Sequence, residues 1–165
     1  MFKQDLTDLQ IKDLLRRAYH LAERSTDPST KVGAIILHNM DECYGWNHIP
    51  PGINIDLTDR TLKYKVIEHA ERHAIFNAAK YGIALLNTIL VCPWAACCDC
   101  ARAIALSGIS KVICHGDTID KTPTRWQQDM AIAAQIFAAS GVRYTKFYGK
   151  IGDCQNLFNG EIWYP

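Results

Sequence analysis

The sequence predicts an α/β protein, a three-layer α-β-α sandwich with a mixed five-stranded sheet, on three observations. Apolar strand-like runs alternate with amphipathic helical stretches: "KVGAIILH", "NTILVC", "KVICH" and "VRYTKF" are the strands that stand out. That alternation marks βαβ units, whose right-handed crossovers lay helices on the faces of a sheet with parallel strands. The first run, however, is followed almost at once by "ECYGWN", with only Asn39, Met40 and Asp41 between them, which makes an antiparallel hairpin. A chain of 165 residues can bury one substantial core, so a single domain over 1–165 is expected.

Taken in order, Thr7 with Gln10 reads as a capping box, and Ile11, Leu14, Leu15, Ala18, Leu21 and Ala22 follow at helical spacing. This helix ends near "RSTDPST", where Pro28 and its small polar neighbours turn the chain. After the hairpin, "HIPPGINIDLTD" is a loop stiffened by Pro50 and Pro51. From Arg60 the composition is helical, with Val66, Ile67, Ala70, Ala74 and Ala78 as packing residues, until Tyr81-Gly82 stops it. A strand over 87–92, a helix over about 97–106, the strand "KVICH", a helix over about 123–139 ending at Gly141, and the strand "VRYTKF" complete an α-β-β-α-β-α-β-α-β order. The tail, 148–165, has no clear periodicity; Phe158, Trp163 and Tyr164 suggest that it docks on the domain or on a neighbouring subunit.

Charge narrows the function classes. Lysine and arginine number 18 against 17 acidic residues, for a net charge of +1, and the only adjacent basic pair is Arg16-Arg17. A stripe that would track long nucleic acid is missing, whereas a few cations could still hold one small phosphorylated ligand. The first fifteen residues are charged throughout and no stretch approaches a membrane span, so a cytoplasmic protein without membrane contact is expected. Seven cysteines in such a protein point to metal ligands or buried thiols, and an odd number cannot pair fully within one chain.

The cysteines carry the chemistry. Ligand sites of open α/β sheets lie beyond the carboxyl ends of strands, where the next helix begins, and Cys97 follows "TILV" by a few residues. Cys97 and Cys100 form C-x-x-C at a helix start, an i, i+3 pair that shares one face, where the helix N-terminus favours thiolate. Cys98 points elsewhere and takes no metal role. The other half lies in "VIEHAERHAIF": His69 offers an imidazole nitrogen, and Glu71 a carboxylate. Residues i and i+2 of a regular helix stand about 200° apart, so both face one pocket only if His69 sits at the helix mouth. One histidine and two cysteines leave a fourth tetrahedral position open, as in catalytic zinc sites, where bound water is acidified toward neutral pH. Glu71 beside that water could accept its proton and pass it to a leaving amine, which amounts to hydrolytic deamination.

With "HAE" at 69–71 and "CCDCARAI" at 97–104, the sequence resembles the zinc-dependent cytidine and deoxycytidylate deaminase superfamily. The stretches "RSTDPSTKVGAIIL", "GWNHIP" and "SGISKVI" extend the resemblance over about residues 14–147. It departs from the family pattern at Ala96, where a proline is expected, at Trp46 and His48 in the family's "GYNG", and at His73 in place of asparagine. The resemblance implies a cytidine-deaminase-like fold, a zinc cofactor on His69, Cys97 and Cys100, and Glu71 as proton shuttle. It also implies hydrolysis of dCMP to dUMP and ammonia, supplying thymidylate synthesis, in a homo-oligomer, hexamer or dimer, with dCTP or dTTP as effector. By the same resemblance Asn47 would bind the sugar hydroxyl and the Ala70 backbone the base carbonyl.

Other residues are read on their own chemistry. Lys121 and Arg125, and with them Arg24 and Lys31, could meet a phosphate; Trp94 and Trp126 could wall the base pocket. His73 is read as support or core, and Cys43, Cys92, Cys114 and Cys154 as buried thiols. Two alternatives stand beside the dCMP reading: a deaminase of another cytosine substrate (dCTP, cytidine, free base or a base in nucleic acid), and a zinc-stabilised nucleotide-binding protein without turnover, which would not need Glu71.

Overall fold

The computed structural model describes residues 6–38 and 41–165. The expected hairpin turn at Asn39 and Met40 lies outside the described residues. Helix α1, Asp8–Ala22, begins at the predicted capping box: the Gln10 amide donates to the Thr7 hydroxyl at 3.3 Å, and the Thr7 amide to the Gln10 side chain at 2.9 Å. Strands β1 (Gly33–His38), β2 (Asp41–Trp46), β3 (Ile89–Val91), β4 (Lys111–His115) and β5 (Arg143–Phe147) form one sheet in the order β2-β1-β3-β4-β5. Strand β1 is antiparallel to both of its neighbours, while β3, β4 and β5 run parallel, so the sheet is mixed as predicted.

Burial on both faces explains the near-continuous apolar strands. Along β1, Ala34 and Ile36 join a core with α3 (Ala70–Tyr81), α4 (Cys98–Leu106) and α6 (Thr124–Ser140). Ile35 and Leu37 face the other way, onto Ile11, Leu14, Leu15 and Ala18 of α1. Two glycines permit that packing. A Cβ at Gly33 would fall 2.2 Å from the Ala18 carbonyl oxygen, and one at Gly45 2.2 Å from that of Ala70. The first turn of α3 therefore rests directly on β2.

Three elements differ from the sequence expectation. The run from Arg60 to Tyr81 is two helices, α2 (Arg60–Val66) and α3, with Ile67 and His69 in extended conformation. The break is imposed from outside: His48 and Glu68 exchange backbone hydrogen bonds of 2.9 and 2.7 Å, an isolated bridge that a helix through Glu68 would forfeit. Helix α5, Gly116–Asp120, follows β4 without a gap and is too short for periodicity to reveal. The tail forms a hairpin of β6 (Asn156–Phe158) and β7 (Glu161–Trp163), turning at Asn159 and Gly160 with φ of 53° and 87°. An Asn-Gly pair between apolar residues signals such a turn locally. Its docking is tertiary: the Lys31 backbone amide donates to the Leu157 carbonyl at 2.9 Å, and that of Gly160 to the Ser29 carbonyl at 2.7 Å.

Candidate active site

His69 immediately precedes α3, and Cys97 immediately precedes α4, both in extended backbone with ψ of 154° and 172°. Neither side chain caps its own helix, so each is left for another partner. They meet. His69 Nδ1 lies 3.4 Å from Cys97 Sγ and 3.6 Å from Cys100 Sγ, and the three donor atoms are all within 4.8 Å of one another. Tetrahedral zinc with ordinary Zn–N and Zn–S bonds requires an N···S separation of about 3.6 Å. The donor set therefore fits zinc, and no second cluster of this kind occurs among the described residues.

The electrostatics favour an anion on one of the two sulfurs, Cys97. The Cys100 thiol donates to Cys97, and with His69 as a second partner it holds the Cys97 sulfur down at about 4. Cys100, the donor of that pair and deeply buried, is pushed up. Burial pulls the His69 imidazolium down, but the Cys97 sulfur outweighs it, and the net shift is upward. A dication would take both sulfurs as thiolates and His69 as the neutral ring. Arg72, inconspicuous in the sequence, supplies fixed positive charge: its Nη1 lies 3.9 Å from Cys97 Sγ and 3.7 Å from Cys100 Sγ. Its Nε is anchored on Glu68, four residues earlier on the chain. The adjacency of Arg72 to "HAE" was the available clue.

Glu71 occupies the first turn of α3 and is only 5 % exposed. Burial raises its carboxyl above the usual range, with His69 pulling in the opposite direction. A carboxyl so placed is more basic than an exposed one and so better suited to accept and return a proton. Because His69 lies just outside the helix and Glu71 just inside, both line one cavity, as the spacing argument requires.

That cavity also takes in Asn47, Ala70, Arg125, Trp94 and Trp126. Tyr64, Trp126, Trp94 and Phe158 form an arc of edge-to-face rings at centroid distances of 5.5, 6.3 and 4.9 Å. The Asn47 side chain is held rigidly, accepting from the Val32 amide at 2.8 Å and donating to the Thr30 carbonyl at 2.7 Å. One of its N–H hydrogens and one lone pair remain for a ligand. His73 turns to strand β2 instead, bonding the Trp46 carbonyl at 2.9 Å and stacking on His48. The Cys98 thiol turns to Asp129.

The cations divide sharply. Lys121, expected to meet a phosphate, does not line the cavity; its ammonium lies over the Trp163 ring, 4.9 Å from the centroid. Arg24 covers Trp46, and Lys31 is likewise outside the lining. The reason is a matter of facing: Lys121 ends α5, whose buried Thr118 packs toward Tyr19 on the α1 side of the sheet. Lys63, missed in the sequence, lines the cavity but is neutralised by Asp27 at 3.1 Å, both side chains being 5 % exposed.

A His-Cys-Cys donor set with a buried carboxyl beside it, at two helix mouths of a mixed α/β sheet, defines the class of zinc-dependent deaminases. Residues 9–116 match the cytidine and deoxycytidylate deaminase zinc-binding region, and the chain belongs to that family. It is 35 % identical over 139 residues to an uncharacterized deaminase from the luxG 3′ region of Aliivibrio fischeri, covering 79 % of this chain and 90 % of that protein. Mouse deoxycytidylate deaminase is 31 % identical over 150 residues, covering 81 % and 79 %. Among solved structures, the dCMP deaminase of cyanophage S-TIM5 in complex with dCMP and dUMP superposes with a TM-score of 0.72 over 87 % of this chain and all of that one, at 23 % identity, a likeness of fold. Among the described residues no helix is long and apolar enough to cross a membrane.

Proposed function

We propose that this protein is a zinc-dependent deaminase that hydrolyses dCMP to dUMP and ammonia. The observation that carries the reading is the meeting of His69, Cys97 and Cys100 beside the buried Glu71 in one cavity. Family membership and the relatives named deoxycytidylate deaminase support it. Zinc on His69, Cys97 and Cys100 would lower the pKa of water at the site. Glu71 takes one proton of the attacking water and delivers it to the ring nitrogen N3 as the hydroxide adds at C4. Glu71 then takes the proton of the new C4 hydroxyl and passes it to the exocyclic amine; the bond from C4 to that amine breaks, and the C4 carbonyl forms as ammonia leaves. Atoms balance as cytosine plus water giving uracil plus ammonia.

The aromatic arc shields the base from bulk water, Asn47 orients the sugar and the Ala70 backbone meets the base carbonyl. Arg125, at the exposed rim, faces the phosphate. A near-zero net charge favours a mononucleotide over long nucleic acid. The same reading makes the protein cytoplasmic, with dUMP feeding thymidylate synthesis, and includes a dimer or hexamer under a dCTP or dTTP effector. Sedimentation with and without each triphosphate tests those last two points.

Ammonia release from dCMP, dCTP, CMP, deoxycytidine, cytosine and a cytosine-containing oligonucleotide, side by side, tests the reaction. Turnover should be fastest on dCMP, and Glu71→Gln should lower it about a thousandfold with zinc content and fold retained. A faster rate on any other substrate would replace dCMP, and unchanged turnover in Glu71→Gln would remove the proton role.

A further inference from the structure

Of the cations lining the cavity, Lys63 has its charge cancelled by Asp27, whereas Arg125 has a neutral partner. Arg125 Nη2 donates to the side-chain oxygen of Asn159 at 2.8 Å. Asn159 is the tip of the C-terminal hairpin, itself in the cavity lining, and its own amide donates to the Thr30 hydroxyl at 3.0 Å. Phe158 beside it is 5 % exposed and packs edge-on against Trp94. The hairpin is thus a wall of the cavity, locked to the Ser29–Thr30 loop by the Gly160 bond described above.

We propose that Asn159 is a positioning residue for nucleotide selectivity: by holding Arg125 at the rim through an uncharged amide, it keeps the guanidinium's charge available to the substrate's phosphate dianion. This deepens, and rests on, the dCMP reading. The contact uses one N–H of a five-donor fork, and the rest can engage phosphate oxygens. An aspartate at the same place would hold Arg125 equally well and cancel its charge, as Asp27 does for Lys63. The side chain, and not the backbone, is therefore the discriminating feature.

The test exploits the left-handed backbone at Asn159, with φ of 53°, which aspartate and glycine tolerate better than other replacements. Asn159→Asp and Asn159→Gly should both preserve the turn, verified by the melting temperature. Measured on zinc-loaded protein, the kcat/KM ratio of dCMP to deoxycytidine should fall about tenfold in Asn159→Asp, through KM for dCMP. It should fall less in Asn159→Gly, which frees Arg125 without cancelling it. Equal losses on both substrates, or a ratio that moves less than twofold, would overturn the positioning role while leaving dCMP deamination intact. A wild-type protein that does not turn over dCMP would overturn the reading beneath it.

Discussion

Two histidines on opposite sides of the sheet show how the same side chain becomes either a site or a strut. His69 stands at the mouth of α3 with two sulfurs as partners, and among the described residues no fourth histidine, cysteine or carboxylate joins the group. His115, fully buried at the end of β4, is satisfied on both nitrogens: the Tyr19 hydroxyl reaches Nδ1 at 2.7 Å, and Nε2 meets the Gly149 carbonyl at 3.1 Å. Thr118 closes the same network through Tyr19, and the Trp163 ring stacks on the imidazole at 5.9 Å. Their titrations diverge accordingly: sulfur pushes His69 up, against burial, whereas burial pushes His115 down past the opposing pull of Gly149 and Asp117. A polar cluster closed by the protein holds the fold together; one left open is available for chemistry.

Replacing Cys97 by alanine should break the open cluster most severely. Zinc per chain, measured by elemental analysis, should fall well below one, and turnover should drop by at least about 10⁴-fold, beyond the Glu71→Gln effect, because ligand and activated water go together. Full zinc occupancy in Cys97→Ala would place the metal elsewhere.

His115→Ala should give the reverse pattern. It leaves the Tyr19 hydroxyl and the Gly149 carbonyl without their partner in a buried setting, at a cost of about 3 kcal/mol in unfolding free energy. The kcat/KM of the folded variant should stay within about twofold, since the network lies on the α1 side of the sheet and the cavity on the other. Denaturant melts and steady-state rates, taken together, check both halves, and a catalytic loss larger than the stability loss would join the two faces.

The smallest effect separates the two proteins by pH. The unfolded chain protonates histidine near pH 6.5, while buried His115 resists protonation until a lower pH. The unfolded state therefore binds more protons in that interval, and His115's contribution is complete above about 6.5 and is lost as pH falls through it toward the folded value. The wild-type melting temperature should thus decline more steeply between about pH 7 and pH 5 than that of His115→Ala. Parallel declines would show that His115 does not titrate with unfolding.

Much of the site was legible because its rules are local. C-x-x-C at a helix start and His-x-Glu across a helix mouth depend on the geometry of a single turn, and the structure places those four residues as that geometry demands. Arg72 was not legible, because an arginine after "HAE" reads equally well as solvated surface until α4 delivers the sulfurs. The helix mouth at His69 followed from the spacing of His69 and Glu71, but the separate helix α2 before it was not legible, since the break is set by His48, some twenty residues earlier in the segment after β2.

By itself, then, the sequence determined the donor types, their spacing, the family, and the order of the five sheet strands and the longer helices between them, because these rest on short motifs, on spacing within one or two helical turns, or on alternation along a strand. Only the tertiary structure decided which cations line the cavity and what each one meets there. Arg125 meets Asn159 across 34 positions of chain, Lys121 turns to Trp163, and Asp27 silences Lys63. No periodicity records such pairings, because a charge's meaning depends on the neighbour that folding brings beside it, and Coulomb interactions follow distance in space and not along the chain.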